Sequence, residues 1–190
     1  MTWEGDVRLG VEAWGAGEPP PDVAAAGPDA DAEEMARKIL LDQLTGRARS
    51  RKELADKLAR KNVPGDVATA LLDRFEQVGL IDDEAFARLW VADRQRSKGL
   101  APRALSQELR RKGVADEVVR AALDEVEPEA EEAAARALVR KKLRTLTRVD
   151  DTTAIRRLVG MLARKGYPSG LAFSVVRDEV RAAGRECEDG

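Results

Sequence analysis

One short pattern occurs three times in this 190-residue chain, and it restricts the fold more than any other feature. It reads Leu54-x3-Leu58-x-Arg60-Lys61-Asn62-Val63-x3-Val67, then Leu105-x3-Leu109-x-Arg111-Lys112-Gly113-Val114-x3-Val118, then Leu158-x3-Leu162-x-Arg164-Lys165-Gly166-Tyr167-x3-Leu171, at offsets of 51 and 53 positions. An internal repeat outranks local propensity as a guide to architecture, because each copy must be one supersecondary unit packed on the next. Leucines at i and i+4 mark one face of a helix. The Asn or Gly behind them suits the left-handed residue that ends a helix, and Arg and Lys in the last turn complement its dipole. A further helix follows in each copy, carrying Val67, Ala70 and Leu71, or Val118, Ala121 and Ala122, or Leu171, Ser174 and Val175.

Each copy also has a helix in front. The first runs from about Glu33 to Leu44 with Ala36, Leu40 and Leu44 on one stripe; the second starts at Asp82 and carries Phe86, Leu89 and Trp90. The third runs from about Glu129 to Leu146 with Val139, Leu143 and Leu146 on its stripe. The chain is therefore expected to be all-α, an elongated, curved array of three tandem three-helix repeats over 33–80, 81–127 and 128–182. A unit of about fifty residues buries little core, so neighbours must stack on it.

The joints carry matching punctuation. Ser50-Arg51-Lys52-Glu53 is a capping box, Ala101-Pro102 puts Pro at a helix start, and Asp150-Asp151-Thr152 offers N-caps. Between the first two units, Gly79 suits a left-handed helix stop and Asp82 an N-cap, with Ile81 and Phe86 at the positions of a hydrophobic staple. A joint this short should hold the two units at one angle.

Composition decides what lies outside the repeats. Residues 1–32 contain Pro19-Pro20-Pro21, several Gly and Ala, and seven acids against one base, with no sustained apolar period. They are expected to be a disordered extension, and 183–190 a short acidic tail. Residues 33–181 hold 31 bases against 25 acids, so a mildly basic body stands between acidic ends and can meet a polyanion or an acidic protein surface.

The chain has no histidine and one cysteine, Cys187. That removes an intrachain disulfide, a Cys/His zinc site and any catalytic group built on histidine. No P-loop and no GxGxxG after a strand occurs, and the acid pairs fall at helix starts where capping explains them. No enzyme, metal or cofactor is expected. No secretory signal or membrane span is expected either, and a reducing cytoplasm suits the cysteine usage.

The basic residues offer the only candidate surface. Arg94, Arg96, Lys98 and Arg103 cluster around Gly99-Leu100, with Arg88 before them, and Arg110, Arg111 and Lys112 close the next helix. Arg136, Arg140 and Arg144 recur every four residues beside Lys141 and Lys142, and the first unit supplies Arg47, Arg49, Arg51 and Lys52. Each Arg-Lys pair at a helix end is explained by the dipole; the Arg94 to Arg103 cluster is denser than capping needs and suggests a polyanion or acidic-protein contact. Trp90, Phe86 and Tyr167 have apolar helical neighbours, so base stacking has little support.

These residues together resemble the RecX family of bacterial regulators of the RecA recombinase. The resemblance rests on Gly79-Leu80-Ile81-Asp82-Asp83 with Phe86-Ala87, and on Ser50-Arg51-x-Glu53-Leu54 with Leu58. Leu105-x2-Glu108-Leu109-Arg110-x-Lys112-Gly113-Val114 and Arg164-Lys165-Gly166-Tyr167 complete it, over roughly 33–180. It implies a cytoplasmic, non-enzymatic protein that binds RecA and the RecA-DNA filament and restrains ATPase, strand-exchange and coprotease activities in DNA repair, recombination and the SOS response. Some members also bind single- or double-stranded DNA. A monomer is expected, with partner contacts on the basic surface formed by Arg88, Arg94, Arg96, Lys98, Arg103, Arg110, Arg111, Lys112, Arg136, Arg140 and Arg144. The alternative is a non-sequence-specific DNA-binding helical protein that competes for DNA.

Overall fold

The computed structural model describes residues 28–147 and 149–184. Among them are nine helices and no strand: α1 (Pro28–Gly46), α2 (Arg51–Ala59), α3 (Gly65–Gln77), α4 (Asp83–Lys98), α5 (Pro102–Arg111), α6 (Asp116–Asp124), α7 (Pro128–Leu143), α8 (Asp151–Arg164) and α9 (Ser169–Ala182). Every helix pair in extensive contact lies within α1–α3, α4–α6 or α7–α9. The chain is thus three tandem three-helix units with three small cores.

The repeated motif is the second helix of each unit with its stop. Leu58, Leu109 and Leu162 are fully buried, one per core. Full burial of such a side chain contributes roughly 2 kcal/mol. Asn62, Gly113 and Gly166 have φ of 57°, 80° and 90°. The next residue in each case, Val63, Val114 or Tyr167, donates its N–H back to the carbonyl of Leu58, Leu109 or Leu162. This is the Schellman arrangement, and its hydrophobic partner after the stop is buried each time. The Leu-x-Arg-Lys-Asn/Gly-apolar pattern is therefore a helix stop and a core contact in one motif.

The expected caps form. Ser50 makes a complete capping box with Glu53, while Asp82 and Asp150 accept the N–H groups of Ala85 and Thr153 at 2.8 Å. Gly79 has φ 73°, and Leu80 N–H reaches the Phe75 carbonyl at 2.8 Å, so α3 stops as expected. Ile81 and Phe86 are both buried, but in different cores, the first and the second.

Three expectations need correction. α1 starts at Pro28 instead of Glu33: Pro at the first position and acids at 29 and 31 suit a first turn. Residues 28–32 are therefore helical, while 1–27 and 185–190 lie outside the described residues. Leu89 is 62% exposed, because α4 packs through Phe86, Ala87 and Val91. α7 ends at Leu143, and Leu146 is buried from the turn that follows.

Candidate partner surface and the joints that set it

Two joints fix how the units present their surfaces, and both use the second helices. At the first, the start of α2 meets the end of α5: Ser50 Oγ donates to the Lys112 carbonyl at 2.6 Å, and Lys112 Nζ donates to Glu53 Oε1 at 2.5 Å. Arg51 N–H donates to Asp83 Oδ1 at 2.9 Å, tying α2 to the start of α4. Arg51 also grips Asp73 and Glu76 on α3, at 2.5 and 2.7 Å. Burial raises the Glu53 carboxyl, but hydrogen bonds from Lys112 and the Ser50 N–H outweigh it and hold the group below its ordinary range. For Asp83 burial wins over the Arg51 hydrogen bond, and its carboxyl is raised.

The second joint repeats the first. The start of α5 meets the end of α8, with Ala101 N–H donating to the Lys165 carbonyl at 2.9 Å and Lys165 Nζ donating to the Lys98 carbonyl. Tyr167 Oη donates to the Gly99 carbonyl at 3.3 Å, and burial pushes the phenol up to about 12. A Cβ on Gly113 would lie 2.3 Å from Lys52, and one on Gly166 would lie 2.6 Å from the Ala104 backbone nitrogen. Both glycines serve the docking of one unit on another as well as the left-handed turn.

These joints re-sort the basic residues. Arg94 is internal to the second unit: Nε donates to Glu108 at 3.2 Å, and the guanidinium lies 4.1 Å from the centroid of Trp90. Trp90 Nε1 donates to the same carboxylate at 2.9 Å, and Lys112 Nζ stands 4.6 Å from the ring. Lys98 is 3.9 Å from Glu108. Trp90 is half-buried in this network, stacked at 5.6 Å on Phe86. Arg136 and Arg140 do not form a free ridge. Both reach Glu179, which is 7% exposed, and Arg136 also reaches Glu132 and Asp178. The hydrogen bond from Arg140, with Arg136 behind it, holds the Glu179 carboxyl down.

Arg110 pairs with Asp116 at 2.7 Å and Arg88 lies 3.9 Å from Glu84. Arg96, Arg103, Arg111 and Arg144 remain exposed, with no acidic partner among the described residues. Arg144 borders a shallow groove of about 610 Å³ with Leu143 and Glu179. Two exposed arginines outside the expected set, Arg60 and Arg164, stand at the positions of Arg111 in the other units. Their signal was the repeat itself, which puts one arginine before each Lys at the helix stop.

A polar cleft of about 460 Å³ opens at the first joint, lined by Arg49, Glu53, Lys57, Arg60, Arg111 and Lys112 among others. Arg49 Nε is buried there without a hydrogen-bond partner. Among the described residues no three carboxylates or other ligand side chains converge on a metal position, and no helix is long and apolar enough to cross a membrane.

Comparison with known proteins matches the same three units. The family models described as RecX first, second and third three-helix domains match residues 36–75, 82–123 and 129–176. The regulatory protein RecX of Amycolatopsis mediterranei (strain U-32) is 47% identical over 159 residues, covering 84% of this chain and 91% of that protein. That of Thermobifida fusca (strain YX) is 47% identical over 169 residues, covering 89% and 90%. A crystal structure of a regulatory protein RecX superimposes with a TM-score of 0.73 at 25% identity, covering 86% of this chain and 80% of that one. The crystal structure of RecX from Lactobacillus salivarius shares the fold, with a TM-score of 0.71 at 19% identity over 79% of this chain and 97% of that one.

Proposed function

Because the chain belongs to the RecX family of regulatory proteins, we propose that it binds the RecA recombinase and its nucleoprotein filament and restrains the filament's ATPase, strand-exchange and coprotease activities. Such a protein works in the cytoplasm, in DNA repair and recombination, without a reaction of its own. The observation that carries this reading is the pair of joints: Ser50 with Lys112 and Ala101 with Lys165 hold three units in one register. Exposed cations on different units, among them Arg96, Arg103, Arg111 and Arg144, then keep a fixed relation. A filament repeats its surface at fixed intervals, so several modest contacts made together give an avidity that none supplies alone.

The test is a titration of RecA's DNA-dependent ATP turnover with this protein. Turnover should fall, at ratios well below one per protomer if growth is blocked and nearer saturation if the filament is coated. No effect at any ratio would remove the proposal. The unpaired arginines also fit the simpler reading that the protein only competes for DNA. That reading requires no binding to DNA-free RecA and steep loss of all inhibition with salt.

A further inference from the structure

We propose that the two joints act as one device: a side-chain relay through the second unit, centred on Glu108, couples them, so that loosening either joint loosens the other. The relay runs from the first unit to the third. Glu53 accepts from Lys112 Nζ at 2.5 Å, and the same ammonium stands 4.6 Å from the centroid of the Trp90 ring. Trp90 Nε1 donates to Glu108 Oε2 at 2.9 Å, and Arg94, 4.1 Å from the ring centroid, donates Nε to the same oxygen at 3.2 Å. Glu108 Oε1 lies 3.9 Å from Lys98 Nζ. Lys98 ends α4, and its carbonyl accepts from Lys165 Nζ of the third unit.

Shared partners make this a coupled system instead of a row of separate pairs. One ammonium, Lys112, serves both Glu53 and the Trp90 ring, and one carboxylate, Glu108, is approached by Trp90, Arg94 and Lys98, so a change at either end alters what the middle can hold. The side chains of Glu53, Arg94, Glu108 and Lys112 are only 21–26% exposed, which leaves their pairs less screened than pairs on open surface. Helix geometry gives the relay a rigid frame. Trp90, Arg94 and Lys98 are spaced by four along α4, and Glu108 and Lys112 by four at the end of α5, so the relay is the seam between two facing stripes. The third unit grips the end of that α4 stripe. Gly99 offers its carbonyl to Tyr167 Oη at 3.3 Å, a Cβ on Gly99 would lie 2.9 Å from Leu138, and Ala101 is buried in the core of the third unit. Any shift of α4 against α5 therefore moves the seats of both neighbouring units, and the array changes curvature as a whole.

This inference goes beyond the proposed function and holds whichever partner the array meets. Each joint carries an amide that reports on it: Arg51 N–H, bonded to Asp83 Oδ1, at the first, and Ala101 N–H, bonded to the Lys165 carbonyl, at the second. Hydrogen exchange followed by NMR on the full chain reads both, relative to the amide of Val176, which is fully buried in the third core and tracks global unfolding. Lys112→Met keeps the apolar stem and removes the ammonium. It should speed exchange at Ala101, in the far joint, as well as at Arg51, by roughly threefold or more, as befits residues of one network. Lys165→Met should do the same at Arg51, because coupling is reciprocal. Acceleration confined to the near joint in both variants would overturn the proposal. In a Glu108→Met background the near-joint effects should persist and the far-joint effects vanish; far-joint effects that survive there would place the coupling outside the relay and overturn it too. Lys52→Met removes a lysine of the same joint that pairs with Asp56 on its own helix at 3.0 Å, and should leave Ala101 unchanged. Equal acceleration at Ala101 by this variant would reduce the effect of Lys112→Met to loss of charge and contradict the relay.

Discussion

The hydroxyl of Ser50 donates a 2.6 Å hydrogen bond to the carbonyl of Lys112, a residue 62 positions further along the chain. Ser50 caps the start of α2, and Lys112 ends α5, so one buried hydroxyl satisfies groups at the ends of two helices in different units. The same meeting recurs between Ala101 and Lys165 at the next joint. The negative end of one helix dipole is thereby set against the positive end of another, which favours the arrangement. Each unit of about fifty residues buries only a small core, and these joints add contacts between units.

Ser50 is fully buried, so its removal should be felt at once. Ser50→Ala should cost about 1–2 kcal/mol, for a lost cap and a stranded carbonyl on the neighbouring unit. Urea unfolding measures it. An unchanged midpoint would show that the hydroxyl holds neither helix.

The left-handed stops separate conformation from docking. Asn tolerates φ of 57° at position 62, where no three-helix unit precedes it among the described residues. Gly166→Asn keeps a residue suited to the turn but drives a Cβ to 2.6 Å from the Ala104 backbone nitrogen. We expect Asn62→Gly to change the melting temperature little, and Gly166→Asn to lower it by several degrees and speed hydrogen exchange at Ala101. Similar small effects from both would mean that the joint has room for a side chain.

Acid should loosen the structure through Glu53 and Glu179. Both carboxyls titrate below their ordinary value of 4.5, so the folded state binds protons less readily than the unfolded one. The stability they contribute is intact above pH 4.5 and is lost as pH falls through the folded values. Asp83 runs the other way: its carboxyl is raised above 3.8, so the folded state is favoured as pH falls through that range, offsetting part of the loss. Melting temperature should therefore hold level above about pH 5 and drop below it. Glu53→Gln with Glu179→Gln should flatten that drop while lowering the plateau.

Neutralising the basic residues should divide them into two groups. Arg94→Gln removes a partner of Glu108 and a cation from the face of Trp90, so it should lower the melting temperature and shift tryptophan emission. Arg96→Gln with Arg103→Gln, both exposed, should leave melting unchanged and weaken inhibition of RecA turnover. Unaltered inhibition by the second variant would mark those arginines as solvated surface.

Short-range signals carried much of the fold. The repeat, the caps at Ser50, Asp82 and Asp150 and the three left-handed stops are all local patterns, and each forms as its chemistry requires. What sequence could not supply was pairing across distance. Arg94 and Arg96 look alike in the chain, yet only Arg94 meets Glu108, on the next helix; Arg140 and Arg144 differ in the same way toward Glu179. The exposure of Leu89 follows from which face of α4 its unit covers, and helical spacing alone does not choose between adjoining faces. One clue was present and easy to pass over: the helix stop is Asn in the first unit but Gly in the two that dock on a predecessor.

A cryo-EM map of this protein on RecA assembled on single-stranded DNA would decide whether the joined units work as one body on the filament. We expect density for three units in the register set by Ser50–Lys112 and Ala101–Lys165, lying along the filament across more than one protomer. Bare filaments at saturating protein, or units bound in unrelated orientations, would contradict it.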